Sequence, residues 1–67
     1  MMFIELTGIA YMGTDDEYHY TFLLNKNHIE SIQMEQWGAK IFMVNDDGNE
    51  YKVCETAQEI VKMCKED

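Results

Sequence analysis

Ile41-Phe42-Met43-Val44-Asn45-Asp46-Asp47-Gly48-Asn49-Glu50-Tyr51-Lys52-Val53 is the stretch on which the fold turns. Four consecutive apolar residues make a compact strand. Glu50-Tyr51-Lys52-Val53 makes a second, with Tyr51 and Val53 inward and Lys52 outward. Between them lies a hairpin signal, because Asn, Asp and Gly tolerate the positive φ that tight hairpin turns demand. The period then changes. Thr56-Ala57-Gln58-Glu59 fits a capping box, in which the Thr56 hydroxyl accepts from the Glu59 amide and the Glu59 carboxylate reaches back to the Thr56 amide. Ala57, Ile60, Val61 and Cys64 form one apolar stripe beyond it, and Lys62 and Lys65 stand in the last turns, where cations suit the helix dipole. A helix of about ten residues does not persist alone in water, so it must dock on the sheet.

The same reading extends upstream. Phe3-Ile4-Glu5-Leu6-Thr7 and Ile9-Ala10-Tyr11-Met12 read as a strand, with Gly8 inside it as a bulge or break. Gly13-Thr14-Asp15-Asp16-Glu17 offers nothing apolar to bury and is a loop. From Tyr18 to Leu24 the chain alternates as a strand, Tyr18, Tyr20 and Phe22 on one face and His19, Thr21 and Leu23 on the other, and it should pair with the first as a hairpin. After the polar punctuation Asn25-Lys26-Asn27, the apolar residues of His28–Glu35 fall at 29, 32 and 34, a spacing that suits helix or strand. The short preceding turn, and the lack of a capping signature at Trp37-Gly38, favour strand. The sum is a single α+β domain over 1–67: a mostly antiparallel sheet of four or five short strands closed by one C-terminal helix.

Composition narrows the function. The 67 residues carry 13 acids against 5 lysines, no arginine and a net charge of −8, yet 46% are hydrophobic and 12% aromatic, too apolar for a disordered acidic tail. Lys26, Lys40, Lys52, Lys62 and Lys65 are scattered and make no basic stripe, which argues against direct nucleic-acid binding and against anionic membranes. Without arginine there is no planar fork to clamp a phosphate at two points. Met1-Met2-Phe3-Ile4-Glu5 lacks the basic start of a signal peptide, and no run reaches the roughly 18 to 20 apolar residues of a membrane span, so a cytoplasmic protein is expected. Two cysteines are too few for a disulfide scaffold.

Candidate chemistry mostly dissolves on spacing. Asn45–Glu50 resembles a calcium loop, but with Gly48 at its sixth position the first would be Met43 and the twelfth Cys54, neither a carboxylate. His19, His28, Cys54 and Cys64 contain zinc-ligating atoms without the short paired spacings of a structural site, and neither cysteine has a histidine partner nearby in sequence. The sequence thus predicts no catalytic residue, no cofactor and no metal. Tyr18, Tyr20, Phe22 and Trp37 would make a stacking platform beside a basic groove. With no such groove, they are candidates for a protein interface, because one short helix covers only one face of a small sheet. A homo-oligomer is expected.

Phe3-Ile4-Glu5-Leu6-Thr7, Phe22-Leu23-Leu24-Asn25-Lys26-Asn27-His28-Ile29-Glu30-Ser31-Ile32, Ile41–Val44 with Asp47–Val53, and Glu55-Thr56-Ala57-Gln58-Glu59-Ile60-Val61 together resemble the FlbD-type family. Those are small bacterial proteins associated with flagellar or swarming motility, with similar short chains in Firmicutes and their phages. The resemblance departs at residues 8–21, where the first hairpin is longer than usual, and at Gln36-Trp37-Gly38, where the family tends to have a proline-containing turn. It implies a non-enzymatic accessory or regulatory protein acting through protein contacts, with no catalytic residues to carry over. Two other functions fit the composition: an acidic phage-type inhibitor mimicking nucleic acid, with Asp15, Asp16, Glu17, Asp46, Asp47 and Glu50 on one face, and a small-molecule sponge or sensor at an oligomer interface.

Overall fold

Strands β1 (Phe3–Ala10), β2 (Tyr18–Asn25), β3 (Ile29–Glu35), β4 (Gly38–Met43) and β5 (Glu50–Val53) precede helix α1 (Ala57–Lys65). They form an antiparallel sheet in the order β2-β1-β5-β4-β3 in a computed structural model that describes residues 2–44 and 50–66. The turn expected at Asn45–Asn49 lies outside the described residues. The α+β architecture, with its one C-terminal helix, is the one the sequence predicts, and residues 29–35 are strand.

Topology forces the sheet to curl. β2 and β3 are its two edges, yet they are consecutive in the chain and joined only by the 3-10 turn Lys26–His28. Five flat strands would hold those edges about 19 Å apart at ~4.8 Å per neighbour. The four Cα steps from Asn25 to Ile29 reach at most about 14 Å even when extended. The edges therefore close on each other at this end. The Asn25 side chain accepts from the Asn27 amide at 2.9 Å and starts the turn. The Lys26 amide donates to Met2 O at 2.9 Å, and the Val44 amide to His28 O at 2.7 Å, so the turn is tied to the start of β1 and the end of β4.

Residues opposite each other in the ladder share a face. Ile4↔Leu24, Leu6↔Phe22, Ala39↔Val53, Ile41↔Tyr51 and Ile32↔Ile41 thus place one apolar set inside the curl. Leu6, Ile41 and Val53 are fully buried there under Ile60 of α1, with Ile4, Leu24, Ala39 and Ala57 around them.

The helix starts as its sequence predicts. Thr56 Oγ1 accepts from the Glu59 amide at 3.1 Å, and Glu59 Oε1 accepts from the Thr56 amide at 2.9 Å. Its packed stripe differs by one residue: Met63 joins Ala57, Ile60 and Cys64 against the core, while Val61 is exposed. Its C-terminal carbonyls are served from the β2–β3 turn, by Lys26 Nζ donating to Cys64 O at 3.1 Å and Glu66 O at 3.2 Å. No helix among the described residues is long and apolar enough to cross a membrane.

Two glycines shape the sheet. Gly8 does not break β1, which runs unbroken through it. Gly38 opens β4 directly after the two-residue turn Gln36-Trp37, with φ +153° and its Cα against β5, so a Cβ there would lie 2.0 Å from Val53 O.

Gly38→Ala is accordingly expected to push β4 off β5. The loss, at least about 3 kcal/mol, is a large share of the roughly 3–10 kcal/mol available to a domain of this size, and urea denaturation checks it. The two Thr56 hydrogen bonds, the backbone one foremost, hold the Glu59 carboxyl below its ordinary pKa. A depressed carboxylate stabilises the fold above the unfolded-state pKa and loses that contribution as pH falls through the folded one. Glu59→Gln should therefore be less stable than the parent at neutral pH. The gap should close as the pH drops below the carboxylate range around 4, read by denaturation at a series of pH values.

Candidate interaction surface

The β1–β2 hairpin builds an aromatic row from a simple asymmetry. On the inner face its pairs are Ala10↔Tyr18, Gly8↔Tyr20 and Leu6↔Phe22, so the small residues are on β1 and the rings on β2. The Tyr20 ring lies over the space that Gly8 leaves. At Gly8 the approach is so close that a Cβ would sit 2.4 Å from the Tyr20 ring, which is why a glycine occupies the middle of this strand. Tyr11, at φ +54° where the chain leaves β1, adds a ring at the outer end, and Tyr51 of β5 adds one at the inner end.

Five rings are thereby linked, Tyr11–Tyr18–Tyr20–Phe22–Tyr51, with centroid separations of 6.2, 6.1, 5.6 and 5.4 Å. Tilted and offset pairs at such distances add about 0.5–1.5 kcal/mol each beyond area burial. Exposure falls along the row, from 68% at Tyr11 through 55% at Tyr18 to 39% at Tyr20, and Phe22 and Tyr51 pack on the core. The outer half is thus a held, partly wet aromatic surface anchored at its dry end.

β2 is also an edge strand, and an unguarded one. Natural edges carry charges, prolines or bulges that stop another strand from adding. β2 reads Tyr18-His19-Tyr20-Thr21-Phe22-Leu23-Leu24-Asn25 with no acid, lysine or proline, and Leu23 on its other face is 65% exposed. The opposite edge, β3, is guarded by Glu30 and Glu35 and by a register shift between Ile29 and Ser31.

Of the interface candidates, Tyr18, Tyr20 and Phe22 come together, while Trp37 lies elsewhere. It lines a shallow cavity of about 430 Å³ on the outer face with Ile9, Met12, Gly13, His19 and Cys54. Here Cys54 Sγ is 3.8 Å from His19 Nδ1, and His19 Nε2 is 3.3 Å from Glu17 Oε2. The Gly13 amide donates to Glu17 Oε1 at 2.9 Å, and this bond first, then His19, holds the Glu17 carboxyl below its ordinary pKa. Burial, then the charges of Glu55 and Glu17, push the Cys54 thiol up. Cys54 and Cys64 are unpaired thiols. Among the described residues no three His, Cys, Asp or Glu side chains converge as a metal set.

A second depression of about 750 Å³ runs between α1 and β3, with Ile32, Met34, Ala57 and Val61 on its walls and Lys62 and Lys65 at its rim. Of the six acids that charge mimicry would align, Asp46 and Asp47 lie outside the described residues. Asp15 and Asp16 are exposed in the hairpin loop, Glu17 is engaged as above, and Glu50 pairs with Lys40 at 3.7 Å.

The sequence reading missed Tyr11, Tyr51 and the Cys54–His19 meeting. The face of Tyr51 follows from the alternation around Val53. The others depend on a left-handed residue and on β1–β5 register, which leave no local mark. Compared with protein-family models, curated proteins and solved structures, the chain matches none.

Gly8→Ala should make the Tyr20 ring swing away without parting the strands. The expected result is a stability loss of about 1 kcal/mol with a clear fall in the near-ultraviolet circular dichroism of the coupled tyrosines.

Proposed function

We propose that this chain is a non-enzymatic accessory protein that works through protein contacts, with β2 and its tyrosine row as the contact surface and a second copy of the chain as the first partner. The observation that carries the reading is the uncharged edge of β2, flanked by exposed Tyr18, Tyr20 and Leu23. Antiparallel pairing of two β2 edges satisfies the outward N–H and C=O groups of both strands and abuts the two tyrosine rows. The FlbD-type resemblance supports a role exercised through protein contacts. The acidic loop beside the surface, Asp15 to Glu17, selects further partners by charge and repels nucleic acid and other polyanions.

Nucleic-acid mimicry rests on the same net charge but makes the opposite salt prediction. A dimer of two chains of charge −8 works against repulsion, so salt strengthens it, whereas an acidic decoy on a basic target is weakened by salt. Sedimentation velocity at micromolar to submillimolar concentration should show a monomer–dimer equilibrium that shifts toward dimer between about 0.05 and 0.5 M salt. Thr21→Lys, a charge placed on the edge at an exposed site, should leave the fold intact and return the protein to monomer. A parent chain that stays monomeric throughout that range overturns the proposal.

A further inference from the structure

The outer-face cavity draws its donors from three separate parts of the chain, His19 on β2, Met12 after β1 and Cys54 after β5. β1 lies between β2 and β5, and the pairs Ile9↔His19 and Gly8↔Val53 bring His19 and the residue following Val53 to the same side of it. We propose that Cys54, His19 and Met12 form a binding site for a soft cation of low coordination number, monovalent copper.

Three observations support the site. The first is spacing. A metal about 2.3 Å from sulfur and about 2.0 Å from nitrogen, with an angle near 120°, separates its two donors by roughly 3.7 Å. Cys54 Sγ and His19 Nδ1 are 3.8 Å apart. The second is the ring's orientation. A carboxylate can only accept, so Glu17, held by the Gly13 amide, favours the tautomer protonated at Nε2, which turns the Nδ1 lone pair toward the sulfur. Metal-ligating histidines are held by an outer carboxylate in this same way.

The third is donor softness. Thiolate, imidazole and thioether select Cu(I), and Met12 lines the cavity beside Ile9 and Trp37, whose apolar surfaces suit a cation that needs few ligands and no water. Zinc, by contrast, takes four donors in closed sites. Loading is balanced. Cu(I) replaces the Cys54 thiol proton, which leaves to solvent, so a neutral thiol becomes a neutral copper thiolate with no change of oxidation state.

The test uses the full chain carrying Cys64→Ser, so that one thiol remains, titrated without oxygen against Cu(I) held by a competing chromophoric chelator. One equivalent should bind with a thiolate-to-copper ultraviolet band. Cys54→Ser and His19→Ala, which circular dichroism should show to be folded, should each lower affinity by about 100-fold, and Glu17→Gln by at least about tenfold. Zn(II) in parallel should compete poorly. Equal affinity for Zn(II), unchanged Cu(I) affinity in Cys54→Ser or His19→Ala, or a Met12→Leu chain that binds as tightly as its parent would each overturn the assignment.

Discussion

Thr7 holds the molecule together. Its carbonyl accepts from the Cys54 amide at 2.9 Å, and its own amide donates to both oxygens of the Glu55 carboxylate, at 2.9 and 3.1 Å. This matters because β1 pairs with β5 at Gly8↔Val53 alone among the described residues, so the β1–β2 hairpin and the β3–β4–β5 meander share a narrow seam. Glu55 continues the ladder with a side chain where the backbone has already left the sheet to enter α1. A charged acceptor makes a stronger bond than a carbonyl would, and leaving the half-buried Thr7 amide without it costs about 1–3 kcal/mol. The same exit sets the start of α1 and so lays Ile60 over Leu6, Ile41 and Val53.

What could be read from sequence divides along this seam. Everything with a local cause was legible: the alternation of Tyr18–Leu24, the capping box at Thr56–Glu59, the strand character of 29–35 after a three-residue turn. Elements met at a distance were not. No residue near Lys26 signals that its ammonium will cap a helix 38 positions later, where Lys62 and Lys65 seemed the natural candidates. Gly38 carries no local mark of its role, because its requirement comes from the Val53 carbonyl across the sheet. Gly8 reads as a break, yet it is the floor under a tyrosine.

The site was half legible for the same reason. Period two puts Tyr18, Tyr20 and Phe22 on one face without any knowledge of topology. That the face lies at an outer edge, rather than under a helix, depends on β2 being the first strand in space though the second in sequence. Trp37 was grouped with the tyrosines by chemistry and separated from them by geometry, since the β3–β4 turn reaches the seam from its outer side.

The alternation also means that the two faces of β2 cannot act independently. Tyr18 and Tyr20 flank His19 in the chain, so the rings that form the contact surface and the imidazole of the proposed copper site ride on the same three residues. A cation bridging His19 of β2 to Cys54 beyond β5 would staple those strands across β1, at the place where the ladder is narrowest. Ordering of the hairpin by the metal would lower the entropy that a partner must remove to dock on the tyrosine row, and by linkage the docked partner would tighten the metal to the same degree. The Thr7 seam is what would make such coupling measurable: a broad β1–β5 interface would hold the hairpin rigid with or without the metal.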